Sequence, residues 1–433
     1  MKKITLESFY SIIAIGLNSI SNFILTYFVA KTLTIESIGT LSFSLSIITF
    51  FTGLLIFGFD SAVGRIYWDD VNHEQKSKLL STWFYSTVIY STFICVGLYL
   101  FTQNTISFRI EDYKIGMVTY ALIPGKILLF ILFNWIRIDG KSVLFFYLSL
   151  INFAVLVLFI CFPAYYFSLS LFQLLILNAF TTYSFLLFIV YILRSSLNIN
   201  LISKTILYEI YSLSKPLVLV LLVMQLLPFV DRLYIKNLMD EKSLGSYHLH
   251  LTMASIFGML TSAAQQFLGP KVMQIHSENL ESVPFFNKIR NYSFFLFSFL
   301  LILFTLFANK IFFIFFPKYE FNLILFVLIG YNFFLIFLIS FANYSLFINK
   351  ENKVIAKGWN IALAIKIIVL VLLYGFVNIY TLMIASSISY IFLIFFLYMK
   401  SEKSIKIWNN QFKYLLFNLL IVFILVSLIY FYE

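Results

Sequence analysis

The chain has 433 residues, of which 61% are hydrophobic, 20% are aromatic and only 11% are charged. So few charged residues cannot cover a water-exposed surface of this size, and the composition therefore excludes a soluble globular protein. The net charge of +11 is scattered between apolar runs rather than gathered in one patch, which argues against a nucleic-acid partner. Cys95 and Cys161 both lie inside apolar runs, so neither a disulfide framework nor a metal site is predicted.

Long uninterrupted apolar runs predict an all-α membrane protein. A helix needs about 20 apolar residues to cross a bilayer, and helices satisfy their own backbone hydrogen bonds there. The first run, 9–30, is too long for a signal peptide and is interpreted as an uncleaved helix. The second run predicts one continuous helix over 40–63, and helix ends are predicted near 163–168 and 375–380.

The second half of the chain repeats the first half at a constant offset. Ser37-Ile38-Gly39-Thr40 aligns with Ser243-Leu244-Gly245-Ser246, an offset of 243 − 37 = 206, and Arg65 then aligns with Lys271. The pattern predicts two parallel six-helix repeats, which are typical of transporters that rock one half against the other. The predicted divisions are a first bundle, a second bundle, and a basic linker with one additional C-terminal helix: 1–205, 206–400 and 401–433. The additional helix is predicted to cross the membrane, with a helix lying in the membrane interface as the alternative.

The distribution of lysine and arginine between the runs predicts the orientation. Alternate loops, among them those that contain Lys76, Arg137 and Lys204, are richer in basic residues than the loops between them. Because basic loops stay in the cytoplasm, the N-terminus is predicted to be cytoplasmic.

Lysines inside apolar runs are the main candidates for substrate binding. Lys126 and Lys366 are expected near the middle of the bilayer, and Lys215 nearer the cytoplasmic face. Ionisable groups at such depths are costly and mark functional sites by default, although a lysine near a helix end can also snorkel to the interface. A cationic cavity favours an anionic passenger such as a phosphate or pyrophosphate group.

Other polar residues could line the passage or close it. Asn18, Asn22, Gln225 and Gln265 are the predicted polar lining, with helix–helix packing as the alternative. The predicted gate residues are Asp60, Arg65, Lys271, Asp231 and Arg232, for which simple interfacial anchoring is the alternative. The sequence contains no phosphate-binding loop, nucleophile elbow or paired metal ligands, so it predicts neither an enzyme nor a cofactor or metal.

Three segments carry a resemblance to a known family: SNFILTYFVAKTLTIESIGTLSFSLSIITFFTGLLIFGFDSAVGR, DRLYIKNLMDEKSLGSYHLHLTMASI and FFPKYEFNLILFVLIGY. They resemble the polysaccharide-biosynthesis flippases, the O-antigen and lipid-linked oligosaccharide translocases of the multidrug/oligosaccharidyl-lipid/polysaccharide exporter superfamily. The resemblance implies a multi-pass protein of the bacterial inner membrane. It would translocate an undecaprenyl-pyrophosphate-linked oligosaccharide by alternating access, for an O-antigen or capsule-type polysaccharide. Its partners would be membrane lipids and other polysaccharide-assembly membrane proteins.

Two further functions stay open at this point. A multidrug antiporter of the same superfamily is disfavoured because no carboxylate is expected at mid-membrane depth. An integral-membrane glycosyltransferase or polysaccharide polymerase is disfavoured because the loops on the outer side are short.

Overall fold

The computed structural model describes residues 2–68, 73–103, 110, 112–277, 282–348 and 351–401. Within these ranges the chain is helical and contains no strand. The helices are α1 Lys2–Thr32, α2 Ile35–Leu55, α3 Phe59–Trp68, α4 His73–Gln103, α5 Tyr113–Ile138, α6 Ser142–Leu156, α7 Phe162–Phe167, α8 Leu171–Ile192, α9 Lys204–Leu238, α10 Glu241–Ser277, α11 Ser282–Phe315, α12 Leu323–Ile348, α13 Asn352–Leu372 and α14 Ile379–Ser401. A π-helical segment, Val157–Cys161, joins α6 to α7, and 3₁₀ turns lie at Ile199–Leu201 and Tyr374–Phe376.

The helices confirm an all-α, multi-pass membrane protein. Ten candidate spans among the described residues are long and apolar enough to cross a membrane. Large apolar side chains are exposed on them, among them Phe93 at 75% and Leu372 at 76%. Such surfaces are costly in water and are expected where the surrounding solvent is lipid.

The chain folds as two compact units, Met1–Gly245 and Ser246–Glu433. The first unit contains α1 to α9 and the first turn of α10, and the second contains the rest. The predicted bundles 1–205 and 206–400 stay predictions. The additional helix predicted within 401–433 falls almost wholly outside the described residues.

In the first unit, α2 packs against α5 and α9, α5 also packs against α4 and α8, and α1 packs against α6. Aromatic stacking fixes the α2–α9 contact, because the rings of Phe50 and Phe229 lie 4.4 Å apart at 10°. In the second unit α14 packs against both α12 and α13. There the Asn332 amide donates to the Met383 carbonyl and accepts from the Ser387 hydroxyl at 2.8 Å.

The second predicted helix is interrupted, so the prediction of one continuous helix over 40–63 is wrong. The first segment, α2, ends at Leu55, and Phe57 and Gly58 then adopt left-handed conformations with φ of 54° and 69° before α3 begins. The Tyr90 hydroxyl donates to the Leu55 carbonyl at 2.8 Å. This side-chain donor replaces a backbone donor that the interruption removes.

The other two predicted helix ends agree with the structure. The helical chain that begins with α6 runs through Pro163 and ends at Phe167, where Ser168 has a φ of 48°. Ser170 and Gln173 then form a capping box at the start of α8. The predicted 375–380 turn matches the 3₁₀ segment Tyr374–Phe376 and the start of α14.

Candidate functional site

Lys126 lies in the middle of α5, a helix that is mostly buried. Its ammonium donates to the Asn178 side-chain oxygen of α8 at 3.3 Å, and the Thr182 hydroxyl donates to the same oxygen at 3.3 Å. Because a lysine can only donate, the amide oxygen rather than the amide nitrogen must face it. Lys126 remains partly exposed. Within a candidate membrane span, the Lys126 ammonium is therefore hydrogen-bonded to an uncharged side chain, that of Asn178.

Close packing of α5 against α8 positions this pair. Pro124 has no backbone N–H and interrupts the hydrogen-bond ladder of α5 one residue before Gly125. The Tyr183 hydroxyl donates to the nearby Ala121 carbonyl. A Cβ atom on Gly125 would lie 3.1 Å from both Thr182 Cγ2 and Tyr183 Cζ, so glycine permits the close approach.

The other two predicted substrate-binding lysines occupy different environments. Lys366 of α13 is fully buried in the second unit. Lys215 is exposed on α9 and precedes the apolar span Val218–Leu238. The hydrogen bonds therefore bring Lys126 together with a residue that the sequence analysis did not single out.

The predicted lining residues belong to three helices, α1, α9 and α10. Asn22 is exposed on α1, and the backbones of Asn18 and Gln265 are helical in α1 and α10. The Gln225 side chain lies at the α2–α9 contact, where its Cδ would be 2.5 Å from a Cβ on Gly53. Gln225 thus takes part in helix packing.

The predicted gate residues that the structure describes lie in different environments. Asp60, at the start of α3, interacts electrostatically with Arg137, whereas Arg65 is exposed. Asp231 is only 6% exposed and lies within the span Val218–Leu238. The Arg232 guanidinium donates to the Pro228 carbonyl of its own helix. For Lys271 only the helical backbone of α10 is described.

A charged cluster that the sequence analysis missed surrounds Asp139, in the loop between α5 and α6. The carboxylate accepts from the Tyr67 hydroxyl at 2.6 Å and pairs with the Lys141 ammonium at 2.7 Å. Lys76 donates to the same Tyr67 hydroxyl at 2.6 Å. Burial alone would raise the pKa of Asp139, but the hydrogen bonds from Lys141 and Tyr67 outweigh it and hold the pKa below its usual value. An acid flanked by basic residues, as in Arg137–Lys141, was the one local signal for this cluster.

Comparison with known proteins relates this fold to membrane transporters. No protein-family model and no curated protein sequence matches the chain. The lipid II flippase MurJ in an inward closed conformation is similar in structure, with a TM-score of 0.70, 15% identity, and coverage of 97% of this chain and 92% of that chain. A mutant of the Vibrio cholerae MATE transporter VcmN has a TM-score of 0.63 at 14% identity, and the alignment covers 93% of this chain and 96% of that chain. A MATE structure in the straight conformation has a TM-score of 0.64 at 14% identity, with coverage of 92% of this chain and 96% of that chain.

These similar structures are transporters and a flippase rather than enzymes. At such low identity the similarity concerns the fold. The chain therefore has a fold similar to that of the MATE transporters and of the flippase MurJ.

Proposed function

We propose that the protein is a flippase that moves a lipid-linked oligosaccharide, with its anionic pyrophosphate, across the bacterial inner membrane by alternating access. The observation that carries the proposal is the Lys126 ammonium, which lies inside a span with the neutral Asn178 as its partner. Helices α5, α6, α8, α12, α13 and α14 contain no aspartate or glutamate. A lysine ammonium inside a membrane span that has no carboxylate as its partner favours an anion as its ligand.

The lipid-linked class of substrate also has support from the comparison. MurJ is described as a lipid II flippase, and its structure aligns with 97% of this chain. A lipid-linked substrate keeps its apolar tail in the bilayer while its polar head crosses the protein. The sugar repeat unit and the cytoplasmic location of the N-terminus remain part of the proposal.

Complementation tests this function directly. The gene is expressed in a bacterium whose own repeat-unit flippase has been deleted, and surface polysaccharide is measured together with accumulated lipid-linked units. We expect the wild-type protein to restore surface polysaccharide and to clear the accumulated lipid-linked units. With Lys126→Gln, surface polysaccharide should stay absent and the lipid-linked units should stay accumulated. Lys310→Gln is the matched control, because Lys310 is an exposed lysine on α11. Rescue by Lys126→Gln at the wild-type level would contradict the role of that lysine.

A second candidate function is export of drugs coupled to a cation. The observation in its favour is Asp231, which is buried within the span Val218–Leu238. Buried carboxylates in membranes are typical of cation-coupled transport. This function predicts drug resistance in a sensitive host that is lost in Asp231→Asn, without any effect on lipid-linked intermediates.

A further inference from the structure

Asn178 is placed to decide what kind of ion the Lys126 site can bind. Its side-chain oxygen accepts from both the Lys126 ammonium and the Thr182 hydroxyl, each at 3.3 Å. Within the described residues, the Lys126 ammonium has no second hydrogen-bond partner and no ion-pair partner. An ammonium carries three N–H donors, so two of them remain for a ligand.

The nearest acids on the same helix segment are too far away to neutralise Lys126. Asp112 caps the start of α5 and Asp139 follows its end. By helical rise both lie about 20 Å from Lys126 along the helix axis. In addition, the Asp139 carboxylate already forms an ion pair with Lys141 and accepts a hydrogen bond from Tyr67. Among the described residues no carboxylate therefore forms an ion pair with Lys126.

An amide and a carboxylate of the same shape would have opposite effects at this position. Asparagine orients the ammonium through one hydrogen bond to a neutral acceptor, so the charge of the ammonium can still attract an anion. Aspartate would form a closed ion pair with Lys126 and abolish the attraction. The Thr182 hydroxyl, one turn further along the same helix, holds the amide oxygen in place, and the close approach at Gly125 brings α8 near enough for the bond to Lys126.

We propose that Asn178, oriented by Thr182, is the residue that makes the Lys126 site selective for phosphate-type anions. This inference rests on the proposed function, because it assigns the pyrophosphate of the lipid-linked substrate to this site. Asn178 acts as a positioning residue for Lys126, and its neutrality sets the charge of the ligand.

The test measures anion binding at Lys126 separately from transport. Full-length protein in lipid vesicles is treated with an amine-reactive acylating reagent, and acylation of Lys126 is quantified by mass spectrometry with increasing inorganic pyrophosphate. We expect pyrophosphate to protect Lys126 but not the exposed Lys310. Asn178→Asp should raise the pyrophosphate concentration needed to protect Lys126 by about tenfold to a hundredfold. This is the usual effect of losing one charged hydrogen-bond partner, here the Lys126 ammonium as a partner of pyrophosphate. The thermal unfolding temperature of this variant should be equal to the wild-type value or higher, since an ion pair replaces a weaker bond.

Two further variants separate positioning from a general disturbance of the helix contact. Thr182→Val keeps the side-chain volume and should raise the protecting concentration by only about two- to fivefold. The exchange variant Lys126→Asn/Asn178→Lys keeps the pair and its charge, so pyrophosphate should protect the lysine at position 178. The inference would be overturned if pyrophosphate protected Lys126 in Asn178→Asp as well as in the wild-type protein. It would also be overturned if Lys126 of the wild-type protein were not acylated, or were acylated equally with and without pyrophosphate.

The outcomes also distinguish this inference from the proposed function. Pyrophosphate protection that depends on Asn178, in a protein that fails to restore surface polysaccharide, would support the anion site and reject the lipid-linked passenger. Restored polysaccharide without protection of Lys126 would support the flippase and reject the site.

Discussion

Gly39 and Gly245 lie at one helix crossing in which each contacts the first turn of the other's helix. A Cβ atom on Gly39 would lie 2.1 Å from the Glu241 carbonyl oxygen, and one on Gly245 would lie 2.1 Å from the Ile35 carbonyl oxygen. The offsets are equal, since 245 − 39 = 241 − 35 = 206. All four residues belong to the first unit. Replacing each residue by its equivalent in the sequence repeat converts one contact into the other. The crossing therefore has approximate two-fold symmetry at this point.

We predict that Gly39→Ala and Gly245→Ala each destabilise the protein by about 1–3 kcal/mol, because a methyl group must push two backbones apart. Backbone atoms cannot rotate away as a flexible side chain can. Denaturation in detergent micelles measures the effect. Gly97→Ala is the control, because among the described residues no side chain and no other helix lies within 4 Å of its Cβ position. A variant at Gly39 as stable as the control would contradict the close crossing.

The double variant Gly39→Ala/Gly245→Ala tests whether the two contacts form one crossing. Once the first alanine has separated the helices, the second finds part of the space already open. The cost of the double variant should therefore be smaller than the sum of the single costs by about 0.5 kcal/mol or more. Strict additivity in the same denaturation experiment would indicate two independent contacts.

The sequence predicted helices and repeated motifs better than it predicted side-chain partners. Apolar runs are a property of neighbouring residues and indicated where helices lie, although not the interruption within 40–63. The 206-residue offset is read directly from the sequence and singled out Gly39 and Gly245. Lys126 was recognised because a lysine in an apolar run is conspicuous, whereas Asn178 is 52 residues away along the chain. The Tyr67–Asp139 bond joins residues 72 positions apart and was missed for the same reason.

The interruption after α2 illustrates the same limit. The sequence around Phe57 contains no proline, and its hydrophobicity matches that of a continuous span. The helix can end at Leu55 because Tyr90, 35 residues away, donates to the exposed carbonyl. A local pattern cannot reveal a hydrogen bond that depends on how α2 and α4 pack.

A second prediction concerns the pH dependence of the cluster of Asp139, Tyr67, Lys76 and Lys141. The folded-state pKa of Asp139 lies below the unfolded value of about 3.9. The stabilisation is therefore fully present above about pH 4 and is lost as the pH falls through the folded-state pKa. Asp139→Asn should remove it at neutral pH, at a cost of about 1 kcal/mol, because the half-exposed Lys141 is screened by water.

Denaturation at several pH values checks this prediction. The stability difference between the wild-type protein and Asp139→Asn should be constant at neutral pH and shrink in acid. Tyr67→Phe should cost about 1 kcal/mol and couple with Asp139→Asn in a double-mutant cycle, since the first variant removes the 2.6 Å bond and the second removes the charge of its acceptor. A stability difference that grows in acid would contradict the lowered pKa.

A third prediction uses two left-handed backbone positions outside the spans. Gly140 has a φ of +72°, where a side chain is strained, so Gly140→Ala should cost about 1 kcal/mol although nothing lies within 4 Å of its Cβ position. Ser168 has a φ of 48°, so Ser168→Gly should relieve strain and stabilise the protein by about 0.5–1 kcal/mol. Thermal unfolding of the two variants should therefore shift in opposite directions, and equal shifts would refute the backbone explanation.

The fourth prediction concerns His250, which is fully buried in the second unit. The backbone N–H of Asn322 donates to His250 Nε2 at 2.8 Å, so Nδ1 carries the proton and donates to the Ser246 carbonyl at 2.7 Å. The imidazole also packs against the rings of Phe312 and Phe321, with centroid distances of 5.0 and 5.5 Å, and these two rings contact each other at 5.1 Å. The neutral ring thus joins α10 to the segment that precedes α12.

His250→Phe separates the two contributions of this ring. A phenyl ring keeps the stacking but leaves the Asn322 N–H without its acceptor, which should cost about 1–3 kcal/mol. Tyr331→Phe is the matched control, because its buried hydroxyl has no hydrogen-bond partner among the described residues and its removal should cost little. Denaturation gives the total cost, and hydrogen exchange at the Asn322 amide should become faster in His250→Phe alone. Unchanged exchange at that amide would show that the imidazole stabilises the fold through stacking rather than through its hydrogen bond.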